Sequence, residues 1–296
     1  MGVQTDGRAF SRRSAYERCV DSGWPHSEVD TSMTGSRPIA TALLLAAGTG
    51  TRLLPMTADA PKCLTEVSGR SILARIVDNL RALGIKRLVV VIGYLGDRIR
   101  DFLHKNAGTL HIDYVYNPDY QTTNNIYSLW LARQQIRESF LLVESDLVFD
   151  ASLLAGMLHP DKIAISTILP WMSGTTVCLD VAGKRVAALH VGHRTCDALQ
   201  YKTVNLYSLS LKTWSSIEKR LSRYISDGRL NEYYEAVFAD MVADGSLTFD
   251  AVRFDSDRWY EIDTLVDLKE AEKLFSVPRH VPGRSLVAVE PLPGLA

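Results

Sequence analysis

The sequence predicts an α/β fold built on a mixed, mainly parallel, doubly wound sheet flanked by helices. Three observations carry that prediction. Thr41–Ala47 is a near-continuous apolar run, as a strand buried on both faces requires. From Ile39 to Glu144, strand and helix patterns alternate in βαβαβ order, which builds a parallel sheet with its ligand site beyond the carboxyl ends of the strands. Past residue 150 the pattern changes to short strands followed by paired helices, marking a second half of different character.

The elements follow in order. Residues 1–37 are polar, rich in Ser, Arg, Gly and Asp, and read as a flexible leader, with Met33 as an alternative start. After the first strand, Ile72, Ile76, Leu80 and Leu83 recur at helical spacing over Ser71–Leu83; Ser71 or Gly69 is placed to start that helix and Gly84 to end it. Arg87–Ile92 reads as a second buried strand, Asp97–Leu103 as a helix and Ile112–Tyr116 as an edge strand. A helix over Asn125–Arg133 and a core strand over Phe140–Glu144 complete the first half, about 38–150. In the second half, about 151–276, strands are expected at Ile163–Leu169, Thr176–Val181, Arg185–His190, Val204–Leu209 and Leu247–Val252. Helices are expected at Lys212–Ile225, Asn231–Ala243 and Asp263–Phe275, and the Pro/Gly-rich residues 277–296 read as a tail. No internal repeat is visible.

Composition narrows the function classes. The 296 residues are 46% hydrophobic and 23% charged, with a net charge of −1, so no global field favours nucleic acid or an anionic membrane. No apolar run approaches the roughly 20 residues that span a bilayer, and the N-terminus lacks an apolar signal-peptide core. A cytoplasmic, soluble protein is expected. Cys19, Cys63, Cys178 and Cys196 lie without metal-ligand spacing and are expected to be reduced thiols.

One segment concentrates chemistry. The first strand runs into Gly48-Thr49-Gly50-Thr51-Arg52, followed by Pro55, Thr57 and Pro61-Lys62-Cys63-Leu64. Glycines let backbone N–H groups approach a polyphosphate, and two cations follow at fixed distance. Neither the Lys-Ser/Thr ending of a Walker loop nor the third glycine of a dinucleotide loop is present. The string G-x-G-T-R-(x)2-P-x-T-(x)3-P-K-x-L resembles the signature of the nucleotidyltransferases that activate sugar phosphates and alcohol phosphates. Further segments, Asn124–Trp130, Glu144-Ser145-Asp146, Tyr201–Tyr207 and Trp259–Thr264, make the chain similar to the phosphocholine and phosphonate cytidylyltransferases over about residues 40–275. The resemblance implies a Rossmann-like, glycosyltransferase-A-type fold.

Transfer of a nucleotidyl group brings two anions together, so its site needs cations and a metal more than an acid or base. The resemblance implies that Leu45, Ala46, Ala47, Gly48, Gly50 and Thr51 border the nucleotide. Arg52 would neutralise the departing pyrophosphate, and Lys62 would reach the α-phosphate or the incoming phosphate. Taken singly, either cation reads as a solvated turn residue. Asp146, at a strand end facing the phosphates, suits Mg²⁺, which takes one or two carboxylates plus phosphate oxygens; Asp150 suits the following helix cap better. By family analogy Asp263 is the second metal ligand, although capping the next helix is its ordinary alternative. The same analogy puts Asn125 and Ser128 at the base and ribose and Lys202 at the phosphate, where a solvated strand charge is the alternative.

The acceptor side draws on Trp171, Tyr201, Asn205, Trp259 and Glu261. Aromatic residues there would cage a quaternary ammonium or simply pack in the core. His190, His193 and Arg194 form a small cationic cluster that reads equally as a phosphonate contact or a solvated loop. The expectation is a Mg²⁺-dependent enzyme moving CMP from CTP to 2-aminoethylphosphonate, hydroxyethylphosphonate or phosphocholine. Its partners are CTP and that small acceptor, with no nucleic acid and no membrane, and a homodimer is left open. A sugar-1-phosphate nucleotidyltransferase using UTP, dTTP or GTP is the alternative enzyme; the expected absence of a sugar-contacting Glu-Lys-Pro segment and of a β-helix speaks against it. A non-catalytic nucleotide sensor would usually lose a loop cation or a metal carboxylate, and Arg52, Lys62, Asp146 and Asp263 are all present.

Overall fold

The computed structural model describes residues 38–170, 172–192 and 199–276. The leader over 1–37, Trp171, His193, Arg194, Cys19, Cys196 and the tail over 277–296 lie outside the described residues. Contacts group the chain into two units, Met1–Ser36 and Arg37–Ala296, and the described residues all belong to the second.

The first half supplies strand β1 (Thr41–Ala46), a short hairpin of β2 (Glu66–Val67) and β3 (Arg70–Ser71), helix α1 (Ile72–Ala82), β4 (Arg87–Ile92), α2 (Gly96–Asn106), β5 (His111–Tyr116), α3 (Asn125–Ala132), β6 (Phe140–Glu144) and β7 (Leu147–Phe149). The second half supplies β8 (Lys162–Thr167), β9 (Thr176–Leu179), β10 (Val186–His190), β11 (Gln200–Leu209), α4 (Leu211–Ser226), α5 (Tyr234–Ala243), β12 (Asp250–Arg253), β13 (Trp259–Glu261) and α6 (Leu265–Leu274).

The central sheet runs β10-β9-β11-β6-β1-β4-β5, with β8 also paired to β11 and β12 to β8. β5, β4, β1 and β6 are parallel, and β11 joins β6 antiparallel. This is the expected mixed, mainly parallel sheet flanked by helices. Side chains of β1 alternate between two cores: Ala42, Leu44 and Ala46 pack toward α1, while Leu43, Leu45 and Ala47 pack toward α3 and α5. Burial on both faces is why the strand reads as one apolar run. Strand order turns at β1, with β4 on one side and β6 on the other, so the carboxyl ends of β1 and β6 flank the crevice where such sheets bind ligands.

Ser71 caps α1 by accepting from the Ala74 N–H at 3.2 Å, and Gly84 just past the helix has a φ of 78°. The pattern missed four short strands, the β2–β3 hairpin and also β7 and β13, the last two pairing antiparallel as Glu261↔Leu147 and Trp259↔Phe149. Strands of two or three residues carry too little periodicity to read. α6 begins two residues later than Asp263: Thr264 is its cap and forms a capping box with Asp267. Asp150, as expected, caps the turn at Ala151–Met157.

Cys63 is a free, buried thiol. Cys178, in contrast, is disulfide-bonded, which corrects the expectation of four reduced thiols; spacing along the chain does not reveal which cysteines meet. Among the described residues no helix is long and apolar enough to cross a membrane.

Candidate active site

β1 delivers its loop to the mouth of the crevice. Gly50 has a φ of 64°, and a Cβ there would lie 3.1 Å from the side chains of Lys62 and Thr57, so this position needs glycine. Gly48 is different: a Cβ would meet nothing within 4 Å, so its backbone borders open space. The Thr57 hydroxyl donates to the Gly50 carbonyl at 2.8 Å, and the Tyr94 hydroxyl donates to the Thr57 and Ala58 carbonyls. At Gly93 a Cβ would stand 2.7 Å from the Ala47 carbonyl oxygen. That glycine lets β4 close against the loop, and nothing in its own neighbourhood of sequence announces it.

Four charged side chains meet beside this loop. The Lys62 Nζ lies 2.8 Å from Asp146 Oδ2 and 2.6 Å from Asp263 Oδ1. Arg52, largely exposed, reaches Asp263 Oδ1 at 2.8 Å. The β7–β13 ladder makes this meeting possible, extended by the Ile262 N–H donating to the Asp146 carbonyl at 3.0 Å. Since Thr264 and Asp267 serve the helix end, the Asp263 carboxylate is released to the site. Burial acts to lower the Lys62 pKa, yet the charges of Asp146 and Asp263 and hydrogen bonds to both outweigh it and hold the ammonium above the ordinary lysine range. Burial likewise acts to raise Asp263, and Lys62 and Arg52 reverse it, leaving that carboxyl below the usual range.

The two carboxylates suit a magnesium ion. Both face one cationic point, and Asp146 Oδ1 is buried with no hydrogen-bond partner. Among the described residues no group of three or more His, Cys, Asp or Glu could hold a metal alone. Mg²⁺ does not ask for one, because phosphate oxygens and water complete its shell.

A cavity of about 410 Å³ opens here. Of the residues expected at the nucleotide, Leu45, Ala47, Gly48, Gly50, Thr51, Asn125 and Ser128 line it, together with Arg52, Lys62, Asp146 and Asp263. Ala46 does not: on an alternating strand its side chain points into the opposite core. The Asn125 amide donates to Glu144 Oε1 at 3.3 Å and its oxygen accepts from the Tyr234 N–H at 3.0 Å, tying α3 to α5. Sequence reading missed Asn117, which is buried, lines the cavity and donates to Ser128 Oγ at 3.0 Å. Its one signal was the Asn-Pro step ending β5.

The acceptor-side candidates fall elsewhere. Trp259 and Tyr201 are core residues, Tyr201 beneath the Arg253 guanidinium at 4.5 Å. Lys202 is 3% exposed, donates to the Thr203 carbonyl at 2.8 Å and pairs with Glu261 Oε2 at 3.2 Å. Asn205 sits mid-strand with a φ of 57°, where the pairing of β11 with β8 shifts register. Asparagine tolerates that left-handed backbone, and the bulge aims its amide at Glu261 Oε1, 3.2 Å away. Burial raises the carboxyls of Glu144 and Glu261, and takes that of Glu235 up to about 7.

Comparison with known proteins gives the family and the fold. The model of the MobA-like NTP transferase domain matches residues 42–197. The chain is 32% identical over 254 residues to the CMP-5'-(3-aminopropyl)phosphonate synthase of Streptomyces rubellomurinus, covering 80% of this chain but 39% of that protein. The chain thus spans well under half of that relative's length. It is 27% identical over 208 residues to the 2-aminoethylphosphonate cytidylyltransferase of Lancefieldella rimae, covering 70% of this chain and 80% of that protein. In structure it is similar to the CTP:phosphocholine cytidylyltransferase of Streptococcus pneumoniae, with a TM-score of 0.69 at 20% identity over 80% of this chain and 99% of the other; that likeness speaks to the fold.

Proposed function

Because the chain belongs to the MobA-like NTP transferase domain family, we propose that it is a nucleotidyltransferase moving CMP from CTP to a small phosphonate or alcohol phosphate. The observation that carries this reading is the meeting of Lys62, Asp146 and Asp263 at the mouth of a cavity bordered by the Gly48–Thr51 loop. The relatives named for phosphonate substrates support the choice of acceptor.

In this reading an acceptor oxygen attacks the α-phosphorus, a new P–O bond forms, and the α–β bridge breaks to release pyrophosphate. The attacking oxygen is already anionic, so no general base is required. Backbone N–H groups of the loop and Arg52 hold the β- and γ-phosphates, where negative charge accumulates on leaving. Lys62 neutralises the α-phosphate and the acceptor as they close on one another. Asp146 and Asp263 are the residues that would hold Mg²⁺, which would supply charge neutralisation to the phosphates. Asn125, Ser128 and Asn117, which line the cavity, take the nucleoside in this reading.

The test is pyrophosphate release from each of the four nucleoside triphosphates with 2-aminoethylphosphonate, hydroxyethylphosphonate, phosphocholine and glucose 1-phosphate. Release with CTP and a non-sugar acceptor is expected, abolished by a chelator. Asp146→Ala is expected to lower turnover by on the order of 10²-fold or more while the far-ultraviolet spectrum stays native. Release only with the sugar phosphate would sink the reading.

A further inference from the structure

A left-handed residue in the middle of a strand persists only where its surroundings impose it, and Asn205 is one, with a φ of 57°. What the bulge there accomplishes is to aim one amide. Thr203 Oγ1 donates to Asn205 Oδ1 at 2.8 Å, which fixes the amide's orientation, and Asn205 Nδ2 then donates to Glu261 Oε1 at 3.2 Å. Lys202, buried, takes the other oxygen, Glu261 Oε2, at 3.2 Å. One stretch of β11 therefore grips both oxygens of a carboxylate on β13. Neither Lys202, Asn205 nor Glu261 is among the described residues that line the cavity. Glu261 stands two residues before Asp263, and the chain between them stays paired to the segment that carries Asp146. Glu261 lies opposite Leu147, and the Ile262 N–H donates to the Asp146 carbonyl at 3.0 Å.

We propose that Lys202 and Asn205 are positioning residues for the metal carboxylate Asp263: they clamp Glu261, and the clamped end of β13 keeps Asp263 beside Asp146. The Asp263 carboxylate is bonded to Lys62 and Arg52, two cations that bound phosphates would claim. Once those cations turn to the phosphates, the place of Asp263 rests on its backbone. On the far side that backbone is held by the Asp263 N–H donating to Asp267 Oδ2 at 3.1 Å. On the near side the anchor is Glu261. A carboxylate already in place loses less freedom on taking a metal ion, so partners that orient it raise the affinity. The inference rests on the transfer reading above and on its assignment of Asp263 to the metal.

The probe is the α,β-methylene analogue of CTP, whose α–β bridge does not break, titrated calorimetrically into the full chain with Mg²⁺ and with a chelator. The ratio of the two dissociation constants measures how far the metal tightens the nucleotide. Asn205→Gly keeps the left-handed backbone and removes the amide. It is expected to shrink that ratio by roughly tenfold while binding under chelator stays unchanged, a split that general loss of structure does not give. Lys202→Met is expected to shrink it at least as much. In an Asp263→Asn background the glycine substitution is expected to have no further effect. An unchanged ratio in a folded Asn205→Gly protein, equal weakening of both arms, or a full effect without Asp263 overturns the proposal. If Lys202→Met does not fold, the glycine variant decides alone. Metal tightening that needs Asn205, without pyrophosphate release from CTP, would overturn the transfer reading and keep this one; release from CTP with tightening indifferent to Asn205 would do the reverse.

Discussion

Glu235 shows what one buried side chain does to the whole protein's response to pH. It is enclosed, faces Glu144, Glu261 and Lys202, and burial takes its carboxyl from 4.5 to about 7. The folded chain therefore holds a proton that the unfolded chain releases between those values. Its contribution to stability is full below the unfolded value and is lost as pH rises through the folded one. A shift of this size corresponds to about 3 kcal/mol. The ligand-free protein is expected to lose stability between pH 4.5 and 7, and Glu235→Gln to flatten that slope in urea titrations repeated across the range. An unaltered slope in the variant would exclude Glu235 as its source. Lys62 shows the opposite balance: two carboxylates within 2.8 Å more than offset the burial of its charge. Both residues sit on elements legible in the sequence, but neither environment is, since each partner comes from a different part of the chain.

At the scale of elements, β11 carries an irregularity with a purpose. The strand was expected from Val204; it begins at Gln200, and the left-handed backbone at Asn205 interrupts its pairing with β8 between Thr203 and Tyr207. Thr203 Oγ1 donates to Asn205 Oδ1 at 2.8 Å, leaving the amide N–H for Glu261. Asn205→Gly is expected to fold with near-native stability, since glycine accepts that backbone freely. Asn205→Val is expected to lose about 1–3 kcal/mol in denaturant unfolding, because a β-branched residue is strained at positive φ. Equal stability of the two variants would contradict the strain. The β7–β13 ladder is the other decisive element. Its strands are three residues long, too short to announce themselves, yet it sets Asp263 beside Asp146.

For the molecule as a whole, the crevice opens at the strand-order reversal at β1, between the parallel neighbours β4 and β6. A ligand bound there stabilises only the folded chain, by RT ln(1 + [L]/Kd). CTP with Mg²⁺ at 100 times its dissociation constant is expected to add about 2.7 kcal/mol and to raise Tm by roughly 5 °C or more. UTP and GTP at the same concentration are expected to raise it less, as differential scanning calorimetry would show; equal shifts would contradict base selection by the Asn117–Ser128 wall.

The sequence by itself determined the alternating α/β order, the loop from Gly48 to Lys62 and the identity of the charged residues around it. These are local properties: a buried strand needs an apolar run, a helix needs a 3.6-residue period, and a phosphate loop needs glycine beside cations. Only the tertiary structure decided which candidates share a site. It brought Lys62 to Asp146 and Asp263 across 84 and 201 residues of chain, sent Ala46, Trp259 and Tyr201 into the core, and paired the buried Lys202 with Glu261. Such meetings follow from strand order and from a two-strand ladder, and no periodicity in the chain encodes the distance between them.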